Sequence, residues 1–328
     1  MIGYKRTVRA LLALAAVACG ICFAQARAAP AQNVTPPSVE WRDVKSRTGG
    51  DYRVFVWVPQ EPPPASGYPV IYVLDGNAWG PLAAEINWID ASEGNEHRVQ
   101  PAVVVGIGYP TNQPFDLHRR VRDLTTPTDK NRAVIVDGNG GYAEFISFIN
   151  GVVKPDIERR YPIDRTRQTL LGHSLGGLFV LRTLLTDPAS FQSYVALSPS
   201  IWWNDAALLK DVNGFKPDAA LAGKTRVYLG VGELEEHLTP AASAENLKMY
   251  QTYAAEHPEV RQGQSVDELV SSLEVHFRNT RMVDNARDMQ LALISKGYSV
   301  QFDSFSDEDH FSVVPSEIGR ALPFVLKP

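Results

Sequence analysis

The chain runs to 328 residues, of which 44% are hydrophobic, 9% aromatic and 21% charged, with a formal net charge of −5. A domain of that length buries a sizeable core unaided, and the acidic balance speaks against nucleic-acid binding, which needs a basic face. No internal repeat, heptad run or low-complexity tract is present, and past the N-terminal apolar run no segment is long and apolar enough to span a bilayer.

Lys5, Arg6 and Arg9 lead into the apolar run Ala10–Ala24, followed by Ala24-Gln25-Ala26 and Ala26-Arg27-Ala28. A positive flank, a short apolar stretch and small-x-small sites predict a Sec signal peptide over residues 1–28, hence a periplasmic or secreted protein. An uncleaved anchor and a lipid-modified Cys19 are the alternatives, and the apolar run continuing past Cys19 opposes the second. Cys19 and Cys22 are the only cysteines, so the mature form is expected to carry no disulfide and no thiolate metal site. Cleavage after Ala28 removes Lys5, Arg6, Arg9 and Arg27 with no acid, which takes the net charge from −5 to −9.

Residues 29–38 read as a Pro-rich leader and 39–328 as a single catalytic domain. Val39–Lys45 and Tyr52–Val58 predict an antiparallel hairpin joined through Gly49-Gly50. Short, continuously apolar runs follow at Val70–Leu74, Ala102–Ile107, Thr169–Leu171, Tyr194–Leu197 and Thr225–Leu229, and Ser299–Phe305 closes the series. Helical patterns lie among them at Ala143–Arg159, Leu178–Thr186, Ala241–Ala255 and Arg281–Lys296. Strands apolar on both faces, alternating with helices, predict the α/β class: a doubly wound, mostly parallel sheet with an antiparallel N-terminal hairpin. Residues 257–279 are polar, with Pro258, Gly263 and a helical stretch Val266–Leu273, and read as an insertion on the helical layer that covers the site.

Gly172-His173-Ser174-Leu175-Gly176-Gly177 fits G-x-S-x-G between a strand and an apolar helix. In such an elbow the side chains two before and two after the serine collide, so glycine is the steric solution and Ser174 projects as a nucleophile. A plain tight turn is the alternative. The matching base is expected after the last strand, where His310 lies in Ser306–Ser312; His173 is directed away from the serine, and His97, His118, His257 and His276 come too early. The acid belongs on the loop after Thr225–Leu229, which offers Glu233, Glu235 and Glu236. It must be partly buried and accept the imidazole N–H; Glu235 is the choice, Glu233 the next, and the residues alone leave the three open. Asp307 and Asp309 stand too close to His310 in sequence. Backbone N–H groups of Leu175 and of Asn77, after Asp75-Gly76, are candidate oxyanion donors, with a simple turn as the other reading of Asp75-Gly76.

The stretch Gly140–Trp203 strongly resembles the esterase branch of the α/β-hydrolases that contains trilactone catecholate-siderophore esterases, esterase D-type thioesterases and mycobacterial mycolyltransferases. The matching pieces are Pro69–Gly76 (PVIYVLDG), Arg122–Pro127 (RDLTTP), Glu158–Pro162 (ERRYP), the elbow GHSLGG, Ser198–Trp203 (SPSIWW), a Gly-x-x-acid spacing at Gly232–Glu235, and Arg281–Asn285 (RMVDN). The resemblance implies an α/β-hydrolase fold, Glu235 in preference to Glu233, Asn77 as an oxyanion donor, and hydrolysis of ferric enterobactin-type trilactones in the periplasm.

The chemistry expected is acyl transfer through Ser174, needing no metal and no organic cofactor, on a small-molecule ester; any iron would arrive with a siderophore substrate. A bulky anionic iron complex calls for arginines and aromatics around an open site, and Trp202, Trp203, Arg119, Arg120 and Arg122 are the candidates. Core packing of the tryptophans and an Arg122–Asp123 ion pair are the plainer readings. A general, feruloyl or acetyl carboxylesterase, an acyltransferase and a non-catalytic siderophore-binding protein are the competing functions.

Overall fold

Gly49 sits at φ 93°, a region closed to most side chains, and turns the chain so that Ser46 N–H donates to Gly50 O at 2.7 Å. β1 (Val39–Lys45) and β2 (Asp51–Trp57) are thereby paired antiparallel, from Val39 opposite Trp57 to Lys45 opposite Asp51. The computed structural model describes residues 38–94, 99–128, 138–256, 258–261 and 263–327. The predicted signal peptide with its cleavage sites, Cys19, Cys22 and the leader up to residue 37 lie outside the described residues. Among the described residues, no helix is long and apolar enough to cross a membrane.

β3 (Tyr68–Leu74) leads into α1 (Gly76–Ala91), β4 (Val103–Gly108), α2 (Leu117–Leu124), α3 (Tyr142–Phe148), α4 (Lys154–Arg160), β5 (Ile163–His173), α5 (Leu175–Thr186) and β6 (Ser193–Leu197). There follow α6 (Trp203–Gly214), α7 (Ala219–Ala222), β7 (Arg226–Gly232), α8 (Pro240–Glu256), α9 (Val266–Arg278), α10 (Met282–Ser295), β8 (Ser299–Phe305) and α11 (Val314–Leu326). The strands form one sheet in the order β1-β2-β4-β3-β5-β6-β7-β8, antiparallel at its β1–β2 and β2–β4 pairs and parallel elsewhere. This is the α/β sheet with an antiparallel start that the residue pattern predicts.

Both faces of the sheet are covered, which is why β3 and β4 are buried at every position and show no alternation. Tyr72, Leu170 and Tyr194 pack with Phe145 of α3, Phe179 of α5 and Met289 of α10 on one face. Val73, Leu171 and Val195 pack with Ala83 of α1 and Ile318 and Leu322 of α11 on the other. Because β3 to β8 run the same way, the loops that leave β3, β5, β6, β7 and β8 emerge on one edge, where open α/β sheets place their sites.

Two departures from the sequence reading have local causes, and the 257–279 stretch carries the helix expected of it. The helix expected over Ala143–Arg159 is interrupted by a wider π turn at Ile149–Val153; Pro155 has no N–H and its ring would strike the carbonyl of Gly151 in a regular helix. The Asp75-Gly76-Asn77 loop is a helix start: Asp75 takes a left-handed φ of 49°, and Gly76 lies so close to β4 that a Cβ there would sit 2.4 Å from Gly106 C. Residues 258–278 hold a short 3-10 turn, Pro258–Arg261, and α9, whose Leu269 and Val270 pack on Ala254 of α8 in a small cluster of its own.

Candidate active site

β5 ends at His173, Ser174 takes φ 62° and ψ −119°, and α5 begins at Leu175. The strained serine conformation is held by hydrogen bonds on either side: Ser174 N–H donates to Leu197 O at 3.0 Å, and Leu178 N–H and Ser200 N–H donate to Ser174 O at 3.0 Å each. A Cβ on Gly172 would lie 2.5 Å from the Gly176 carbonyl carbon, so the predicted collision across the elbow is real at that position. On Gly176 itself a Cβ would meet nothing nearer than 3.6 Å; the second obligatory glycine is Gly177, 2.9 Å from Pro199 Cα by the same measure.

His310 Nδ1 and Glu235 Oε2 are 2.5 Å apart. A carboxylate can only accept, so Nδ1 carries the hydrogen and a neutral ring keeps its lone pair on Nε2. The Glu235 side chain is 1% exposed, and its other oxygen accepts from Ser198 Oγ at 2.6 Å and from Gly232 N–H at 2.7 Å. Glu233 instead accepts from Ser304 and Ser306 at 3.1 Å each, and Glu236 from the Asp284 N–H at 2.9 Å. Of the three carboxylates left open by the sequence, the structure brings Glu235 to His310. The Ser174 hydroxyl is 3.2 Å from Ser200 Oγ, which it faces in place of the His310 ring.

His173 is buried, and its Nε2 lies 2.7 Å from the His310 carbonyl, to which it can only donate. Burial, with His310 nearby, holds its pKa well below the usual histidine range, so this ring is a neutral brace for the backbone of His310. Leu175 is the first residue of α5 and Asn77 the second of α1, positions whose N–H groups have no carbonyl a turn back in their own helices. The two helix starts adjoin: a Cβ on Gly176 would lie 3.8 Å from Asp75 Oδ2. The Asn77 side chain secures its end, donating to Tyr109 O and Thr111 O at 3.0 and 3.2 Å and accepting from Tyr109 N–H at 2.8 Å.

Four of the five residues expected to meet substrate are not among the described residues that line the cleft. Arg120 is committed to the buried Asp75, with Nη2–Oδ2 at 2.9 Å and Nε–Oδ1 at 3.1 Å, because a carboxylate removed from water needs a cation. Arg122 pairs with Glu144 at 3.0 Å, and Arg119 donates to Asp51 O at 3.1 Å and pairs with Asp116. Trp203 is a core residue, 3% exposed, whose indole N–H donates to Thr126 O at 3.1 Å. Trp202 alone of the five lines the cleft that holds Ser174.

The Esterase family model matches residues 45–274 of this sequence. The ferri-bacillibactin esterase BesA of Bacillus subtilis is 38% identical over 308 residues, 90% of this chain and 91% of that protein. The chain belongs to the Esterase family. A siderophore triacetylfusarinine C esterase of Aspergillus fumigatus is 34% identical over 260 residues, 77% of this chain and 80% of its own length. Among solved structures, the siderophore hydrolase EstA from Aspergillus nidulans aligns with a TM-score of 0.71 at 28% identity, over 90% of this chain and 96% of that one. As a member of the Esterase family the chain is a carboxylic ester hydrolase.

In this esterase the cleft has a volume of about 300 Å³ and opens between the sheet edge and the α8–α9 pair. Ser174, Ser200, Trp202, Glu235, His310 and Phe311 form its floor and one wall, and Asn246, Met249, Tyr250 and Glu274 the other. The stretch read as an insertion over the site thus supplies Glu274, while α8 before it supplies more of the wall. Sequence reasoning missed Ser198 and Ser200. They stand in the SPSIWW segment, whose tryptophans drew attention, and the adjacency of β6 to the elbow strand was the available signal.

Proposed function

We propose that this esterase hydrolyses the ester bonds of a siderophore in the periplasm, with Ser174 as nucleophile, His310 as base and Glu235 as the acid that orients the base. The observation carrying this reading is the His310–Glu235 hydrogen bond beside Ser174 in one cleft, in a chain whose relatives bear siderophore-esterase names. Export rests on the signal-peptide reading of residues 1–28.

Glu235 holds the Nδ1 hydrogen, so Nε2 is free to take a proton. Rotation about the Ser174 Cα–Cβ bond carries the hydroxyl from Ser200 to that nitrogen. The alkoxide attacks the ester carbonyl, and the Leu175 and Asn77 N–H groups meet the oxyanion. The imidazolium returns its proton to the leaving alcohol, giving an acyl-serine. Water, deprotonated by His310, then adds to the acyl carbon and releases the acid and Ser174.

The cleft also bears on which form of substrate enters. Trp202, Tyr250 and Phe311 offer flat surfaces to aromatic acyl groups, while Glu236, Glu274 and Asp309 add negative charge, and no Lys or Arg occurs among its described lining residues. A ferric tris-catecholate is triply negative and is repelled by such a wall; the metal-free trilactone, with neutral catechols, is not. That favours the iron-free form over the ferric one.

Purified enzyme and Ser174→Ala are incubated with ferric and iron-free enterobactin, a p-nitrophenyl ester and methyl ferulate, and products are followed by chromatography. The expected result is a trilactone opened faster than either simple ester, with kcat/KM about tenfold higher without iron, and no turnover by Ser174→Ala. Cleavage of simple esters with the trilactone intact removes the siderophore assignment. Binding of the siderophore without turnover by wild type makes the chain a binding protein.

A further inference from the structure

The first turn of α11 holds a carboxyl group that the triad does not use. Glu317 is fully buried, and its Oε1 accepts the Ser198 N–H at 3.0 Å and lies 3.2 Å from Ser198 Oγ. Ser198 Oγ is in turn 2.6 Å from Glu235 Oε1, the oxygen opposite the one that holds His310. The backbone is shaped for this contact. Ser198 takes a left-handed φ of 40° at the end of β6, and a Cβ on Gly230 would lie 2.7 Å from Glu317 Oε1.

The charges around Glu317 restrict its protonation. Ser198 faces it from β6, Gly230 and Tyr228 from β7, and Glu235 from the turn beyond; Glu235 is the charge that acts on it, and no ion pair of Glu317 occurs among the described residues. Two carboxylates bridged by one hydroxyl, closed to water and without a cation, do not both ionise. Glu235 carries the charge that holds His310. Burial, and Glu235 behind it, push the Glu317 carboxyl well above the usual carboxylate range.

The hydrogen bonds then have one consistent direction. Ser198 has a single hydroxyl proton, which goes to the charged Glu235 at the shorter distance. With the Glu317 proton on Oε2, which has no hydrogen-bond partner among the described residues, Oε1 stays a neutral carbonyl oxygen that accepts the Ser198 N–H and does not draw the hydroxyl away from the charged Glu235.

We propose that Glu317 is a protonated carboxylic acid that, through Ser198, sets the orientation and charge of Glu235, and so is a positioning residue for the His310 base. The proposal rests on the triad reading above. The Glu317 proton keeps Ser198 pointed at Glu235, so Glu235 is presented to His310 in one orientation and with its charge partly met by donors.

The test uses wild type, Glu317→Gln, Glu317→Leu and Ser198→Ala, each checked by thermal melting. Infrared difference spectra (wild type minus Glu317→Gln) are recorded at neutral pH, and kcat and KM for a p-nitrophenyl ester are measured across pH. A protonated-acid carbonyl band is expected in wild type and absent from Glu317→Gln. Glu317→Gln, which stays neutral and still offers a carbonyl oxygen to the Ser198 N–H, keeps kcat within about threefold and leaves the acid limb of kcat/KM in place. Glu317→Leu and Ser198→Ala each lower kcat about tenfold at unchanged KM and move that limb to higher pH, because a less satisfied Glu235 binds the imidazolium more tightly. Absence of the band overturns the proposal, as does a limb that moves to lower pH in Glu317→Gln, which would mean that a charge had been removed. Unchanged kcat in both Glu317→Leu and Ser198→Ala overturns it too. If Glu317→Leu fails to fold, the band, the Gln profile and Ser198→Ala decide. The band needs no turnover, so it is read independently of Ser174→Ala, whose residual activity would instead remove the triad.

Discussion

At the scale of single residues, Glu233, Glu235 and Glu236 differ in what their oxygens hold: two serine hydroxyls for Glu233, His310 for Glu235, a backbone N–H for Glu236. Glu235→Gln turns an acceptor that fixes the Nδ1–H tautomer into a group able to donate to that nitrogen. We expect kcat to fall about 10³–10⁴-fold with KM little changed, against a change within about threefold for Glu233→Gln; steady-state kinetics on one ester compares them. Equal losses in the two variants would put the triad acid in doubt. Three like side chains within four positions carry nothing in sequence that separates them, and only the Gly-x-x-acid spacing of the resembling family favoured Glu235. The separation is made by the 3-10 turn Glu233–Glu235, which follows Gly232 at a place where a Cβ would lie 2.4 Å from Glu308 O. Ser198 and Glu317 were less legible still. A serine and an acid 119 positions apart acquire meaning only when β6 and α11 are packed together.

Among the elements, α2 shows how a charged helix becomes structural. Its three arginines looked like anion ligands, yet the helix lies against Asp75, Glu144 and the β1–β2 turn, and each guanidinium has a partner there. Arg120 matters most, since Asp75 is the left-handed residue that starts α1 and presents Asn77. Arg120→Met leaves a buried carboxylate without its cation, and denaturant unfolding is expected to show a loss of about 3–5 kcal/mol, over half of it recovered in Arg120→Met/Asp75→Asn. A loss below about 1 kcal/mol would mean that water reaches Asp75 and that the pair does not secure the loop. The elements themselves were unevenly readable. Strands buried on both faces read as continuous apolar runs, and residues 178–181 of α5 are told from them by the Gly-rich elbow before them. By contrast α1 is buried through small residues, Gly76, Gly80, Ala83 and Ala84, and begins with a turn-like Asp-Gly, so no amphipathic stripe announces it.

At the scale of the molecule, the parallel run of strands does the assembling: it delivers Asn77, Ser174, Ser198, Glu235 and His310 from five loops to one edge. The convergence of these loops, though neither Ser198 nor the choice of Glu235, followed from strand–helix alternation and from the position of G-x-S-x-G. The other wall of the cleft did not, because α8 and α9 pack on each other through a small cluster outside the two main cores and their cleft-facing residues, Met249, Tyr250 and Glu274, form no motif. The same wall supplies Glu274, one of the three acidic residues that argue for an iron-free substrate.

The central claim is that Ser174 carries the acyl group, and the most direct measurement is covalent. The esterase is treated with a fluorophosphonate, digested and mapped by mass spectrometry, with hydrolysis of a p-nitrophenyl ester followed alongside. The account predicts one adduct, on the Ser174 peptide, esterase activity lost in step with labelling, and no adduct on Ser174→Ala. An adduct on another serine, Ser200 included, or activity that survives complete labelling of Ser174, would contradict it.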